Sequence, residues 1–81
     1  MVKAALQRSL RDAEAYVDSL STLRRQVAEA VGAVTGEIGG SASAADRRAV
    51  AELQTAVAEL DGLIDGVRRA VVDGRRYAES L

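Results

Sequence analysis

The sequence predicts an all-α protein, an antiparallel two-helix hairpin, and three observations carry that prediction. Two long sets of apolar residues recur at alternating spacings of three and four, the repeat of a helix seam that faces another helix. A short stretch of Gly, Ser and Ala separates them. Across 81 residues there is no proline, and no run alternates apolar and polar residues in the manner of a strand.

The first seam is Leu6, Leu10, Ala13, Val17, Leu20, Val27, Val31, Val34 and Ile38. Arg24 is its only polar member. This predicts a helix over about 3–38, closed by Gly36, Gly39 and Gly40, since glycine adopts the left-handed conformation that ends a helix. A turn over about 39–43 follows. Ser43 with Asp46 three residues on has the spacing of a capping box, so a second helix is predicted over about 44–81. Its seam is Val50, Leu53, Val57, Leu60, Ile64, Val67, Val71, Gly74, Ala78 and Leu81, with Gly74 the one defect. Residues 1–81 thus form a single helical-hairpin domain, because so short a connection folds the helices back antiparallel.

Aligning the seams about the turn sets Val34 near Val50, Val27 near Val57, Leu20 near Ile64 and Val17 near Val67, with Leu10 opposite Gly74. In the same register Arg24 faces Leu60, beside Asp61. It is read first as a side chain snorkelling from the edge of the stripe; the sharper alternative has it reach past the seam to the Asp61 carboxylate. Three Asp-Gly pairs, at Asp61, Asp65 and Asp73, mark places where the second helix could bend.

The residues just before seam positions widen the stripe. They are Tyr16, Leu23 and Ala30 in the first helix and Ala49, Ala56, Leu63, Ala70 and Tyr77 in the second. A lone hairpin leaves this flank wet. The only aromatics are Tyr16 and Tyr77, and many of the apolar residues are Ala, so a chain this short should be marginal alone. Dimerisation into a four-helix bundle is the natural remedy. The expected interface residues are Tyr16, Leu20, Leu23 and Val27 with Leu60, Leu63, Ile64, Val67 and Tyr77. If the chain self-associates, an antiparallel arrangement is expected, because residues 3–14 and 66–81 sum to +3 and the rest to −4.

Composition narrows the function classes. With no His and no Cys, the Glu-x-x-His pairs of di-iron bundles, the His-Glu-x-x-His of zincins and His- or Cys-based nucleophilic dyads are excluded. An arginine-lined site of the helical chorismate mutase kind needs several core-facing arginines, and only Arg24 faces the seam. No catalytic, cofactor-binding or metal residue is therefore assigned, and neither an enzyme activity nor a small-molecule substrate is expected. The pairs Arg24-Arg25, Arg47-Arg48, Arg68-Arg69 and Arg75-Arg76 are interleaved with acids in a chain of pI about 5.3. Arg25 lies four before Glu29 and Asp65 four before Arg69, the spacing of surface ion pairs rather than of a nucleic-acid site. Gly32 and Gly36, and again Gly62 and Gly66, have small-xxx-small spacing. On outer faces they read first as tolerated glycines, and more sharply as a second, glycine-lined helix contact.

No apolar run approaches the roughly 20 residues that cross a bilayer, and Lys3, Gln7 and Arg8 interrupt the start where a signal peptide would be continuously apolar. The expectation is a protein made in the cytoplasm, without a membrane span, whose secretion would need no cleavable signal peptide.

A helical hairpin of this size, with a glycine-bearing turn at Ile38-Gly39-Gly40 and Tyr77 near the end of the second helix, resembles the WXG100 (ESX-type) proteins of type VII secretion. The resemblance spans nearly the whole chain and is architectural. Ile38-Gly39-Gly40 stands where that family has Trp-x-Gly, and Tyr77 is followed four residues later by Leu81 instead of an acid. The resemblance implies a four-helix homo- or heterodimer that travels as, or escorts, a secreted substrate. The departures at the two motifs favour an escort, chaperone or adaptor over an exported substrate. A structural or phage-type adaptor that homo-oligomerises is the alternative from a different class.

Overall fold

The computed structural model of the chain describes residues 2–38 and 43–81. Two α-helices account for nearly all of them. Helix α1 spans Val2–Ile38 and α2 spans Ala44–Ser80, each of 37 residues. Together they form a rod of 60 × 14 × 13 Å, close to the length that such helices reach at about 1.5 Å per residue. Of the three glycines expected to close α1, Gly36 lies inside the helix, which continues to Ile38; Gly39 and Gly40, with the turn around them, lie outside the described residues.

The start of α2 is fixed by its own sequence. Ser43 sits in the extended region, at φ −70 and ψ 168, as a helix N-cap requires. The Asp46 backbone N–H donates to Ser43 Oγ at 3.1 Å, and the Ser43 backbone N–H donates to Asp46 Oδ2 at 3.1 Å. Two orphan donors of the first turn are satisfied reciprocally, with Asp standing where Glu is usual. From there α2 runs unbroken through the three Asp-Gly pairs to Ser80.

The helices are antiparallel. Leu10 packs over Gly74 at the open end, and Val17 and Leu20 form a core with Ile64, against which Leu60 and Val67 pack. The seam is not uniform along the rod. Its buried members, Leu10, Val17, Leu20, Ile64, Val71 and Ala78, all lie between mid-length and the open end. Toward the turn, Val27, Val31 and Val34 on α1 and Val50, Leu53 and Val57 on α2 remain half-buried. Valine is the commonest residue there, and its short side chain reaches less far across the seam than Leu or Ile.

Gly74 shows what the seam defect is for. A Cβ built there would lie 2.6 Å from a Leu10 methyl carbon, so the glycine makes room for the leucine. Gly74→Leu is expected to destabilise the fold by about 1 to 3 kcal/mol through overpacking. Gly32→Ala, whose Cβ meets open space, is expected to stabilise by up to about 1 kcal/mol. Thermal melts that shift the same way for both would place Leu10 elsewhere.

Candidate functional site

The two long edges of the hairpin differ in chemistry. In an antiparallel pair, the positions that follow the seam meet along one edge, and those that precede it meet along the other. The first edge carries Glu14 on α1 and Asp61, Arg68 and Arg75 on α2; two ion pairs bridge it, and the groove of about 470 Å³ on this side is lined by charged Glu14, Asp18 and Arg68 as well as by valines. Arg75 Nε donates to Glu14 Oε1 at 2.9 Å, and its terminal nitrogen donates to the same oxygen. Arg24 Nε donates to Asp61 Oδ1 at 2.9 Å and its Nη2 to Oδ2 at 3.3 Å. Arg24 is thus a forked clasp across the helices rather than a side chain reaching only for water. Both pairs are about half exposed, so each contributes at most about 1 kcal/mol, and they set register more than stability. These two ion pairs run between the helices, whereas the spacings Arg25–Glu29 and Asp65–Arg69 predict pairs along them.

The second edge is apolar and open. Tyr16 is 57% exposed, Leu23 46%, Leu63 47% and Tyr77 59%. Alanines continue the edge toward the turn, at Ala30 on α1 and Ala49 and Ala56 on α2. Between the helices on this side runs a shallow groove of about 360 Å³, lined by Leu10 and Ala13 of α1 and by Gly62, Leu63, Gly66 and Ala70 among others of α2. None of its lining residues is polar, so it gives a small ligand nothing to orient it. Its shape instead suits apolar side chains of another helix. At Gly62 and Gly66 an added Cβ would meet nothing within 4 Å, so both glycines keep the floor of the groove low without being required by packing inside the hairpin.

The expected interface residues divide between interior and edge. Leu20 and Ile64 are buried in the intramolecular core, Leu60 and Val67 pack against it, and Val27 is half-buried in the seam. Tyr16, Leu23, Leu63 and Tyr77 stand on the open edge. Sequence reasoning missed the Glu14–Arg75 clasp. The signal was present in opposite charges that follow the seam on the same edge, five residues out of level in the register that sets Leu10 on Gly74. It also left Val72, 49% exposed on the ion-paired side, unassigned.

Among the described residues no group of carboxylates is placed to hold a metal ion, and no helix is long and apolar enough to cross a membrane. No family model matches the sequence, and comparisons with curated proteins and with solved structures gave no match.

Proposed function

We propose that the chain is a non-enzymatic helical interaction module whose open apolar edge docks on a second helical hairpin to complete a four-helix bundle. The observation that carries this reading is the asymmetry of the two edges. Ion pairs bridge one and charged side chains line its groove, while Tyr16, Leu23, Leu63 and Tyr77 leave the other wet around an all-apolar groove. A contiguous apolar patch on a small protein marks a binding surface. The likeness to WXG100 proteins supports a role as partner or chaperone in a type VII secretion-like system. The structural or phage-type adaptor shares the same surface chemistry, and a secretion ATPase or toxin gene beside this one, as against capsid or tail genes, separates the two.

The test is the state of the purified chain. At micromolar concentration it is expected either to assemble or to melt broadly as a poorly folded monomer, because one hairpin leaves its widened stripe uncovered. Light scattering that gives a particle of 8.5 kDa, together with a sharp and cooperative melt, would overturn the module reading.

A further inference from the structure

We infer that residues 27–36, the part of α1 toward the turn, form a strap that unwinds from α2 while the rest of the hairpin stays folded. Such an opening belongs to the hairpin itself and does not depend on what docks against its edge.

The two halves of the rod are held together differently. The buried residues Leu10, Val17, Leu20, Ile64, Val71 and Ala78, and the Glu14–Arg75 pair, all lie on the open-end side of the Arg24–Asp61 clasp. On the turn side, Val27, Val31 and Val34 lie over Val57, Leu53 and Val50 in the register that sets Leu10 on Gly74, and all six are half-buried. A groove of about 320 Å³ between the helices, lined by Ala28 and Val31 of α1 and by Gln54, Val57 and Ala58 among others of α2, leaves this stretch underfilled. Few buried apolar contacts are what a locally opening region has.

The two helices differ in how well each stands without the other. Residues 27–36 contain four β-branched residues, Val27, Val31, Val34 and Thr35, and two glycines, Gly32 and Gly36. These are poor helix formers. Opposite them, residues 50–59 contain no glycine, and seven of the ten are Ala, Leu, Glu or Gln, which favour the helix. The ends repeat the contrast. The reciprocal bonds of Ser43 and Asp46 hold the first turn of α2 without help from α1, whereas α1 has no basic residue in its last turn to offset the helix dipole.

Opening is therefore one-sided. The strap unwinds and α2 stays helical, with the Arg24–Asp61 clasp at the boundary. Unwinding residues 27–36 lengthens the connection between the two helices, and closure entropy rises only slowly with length. Release bares Val50, Leu53 and Val57, which continue the apolar seam of α2 toward the turn.

Hydrogen exchange on the whole purified chain, read residue by residue by NMR, tests this without a substitution. Residues 27–36 are expected to be less protected than residues 13–24 by roughly tenfold or more, and less than residues 50–59 by roughly threefold or more. Urea below the unfolding midpoint gives a second reading. It is expected to speed exchange steeply at residues 13–24, which open only when the whole core is exposed, and to leave residues 27–36 nearly unchanged, because their opening exposes little surface. Equal protection in the three segments, or one urea dependence shared by all of them, would mean a hairpin that opens all at once and would overturn the strap. Residues 50–59 exchanging faster than residues 27–36 would put the weak segment on α2 and overturn it as well.

Discussion

Leu20→Ala is expected to lower stability by about 2 to 5 kcal/mol, and Ile64→Ala by a similar amount. Leu20 is 7% exposed and Ile64 5%, and with Val17 they make the most continuous piece of the core, with Leu60 and Val67 closing around it. Truncating either removes apolar surface from a dry site and leaves a cavity. Two long helices lying side by side cannot collapse to fill it without losing the register that Arg24–Asp61 and Glu14–Arg75 hold on either side. A chain of this size has only about 4 to 12 kcal/mol of stability in total, so either variant is expected to be largely unfolded well below the melting temperature of the parent. Val31→Ala, at a half-buried position toward the turn, is expected to cost only about 1 kcal/mol. Circular-dichroism melts compare the three. Leu20→Ala and Ile64→Ala melting with the parent would mean that these two side chains do not meet.

Much of this fold is legible in the sequence because its two determinants are local or periodic. The 3–4 spacing of the apolar residues names the buried face of each helix without reference to the other. Ser43 and Asp46 fix the start of α2 within four residues of chain. Once the turn is placed, counting outward brings Leu10 to Gly74, and that meeting occurs. It brings Arg24 to Leu60, where the favoured reading is a snorkelling side chain, and the arginine instead pairs with the neighbouring Asp61. What counting did not supply is the depth of the seam. Leu53 has the same periodic signal as Ile64, yet it is half-buried and Ile64 is buried, because burial depends on what stands opposite, and opposite Leu53 the seam is built of valine. The Glu14–Arg75 clasp lies 61 residues apart in sequence, and it requires the register, the edge and the reach of both side chains to be known together. The candidate surface was only half legible for a related reason. Spacing identified the widened stripe, but dividing it into interior and edge required seeing which apolar residues the hairpin itself had already covered.

That division gives the second large effect. Leu23→Glu/Leu63→Glu is expected to weaken assembly by more than a hundredfold without lowering helicity below that of the unassembled parent. Both side chains stand on the open edge, nearly half exposed in the hairpin, where a substitution with no partner in contact costs within about 0.5 kcal/mol. If a second hairpin covers them, each glutamate must enter a dry interface next to the all-apolar groove. An unpaired charge placed there is penalised far beyond the loss of the leucine contacts. A hundredfold change in affinity is only about 2.7 kcal/mol, less than two such burials exclude. The intramolecular core does not involve either residue, so helicity of the variant at low concentration should match that of the parent diluted below its own assembly threshold. Sedimentation equilibrium and circular dichroism on the same samples separate the two effects. A variant that assembles as the parent does would show that the open edge is plain surface, and a variant that loses helicity even relative to the diluted parent would place Leu23 and Leu63 inside the hairpin instead of on its binding edge.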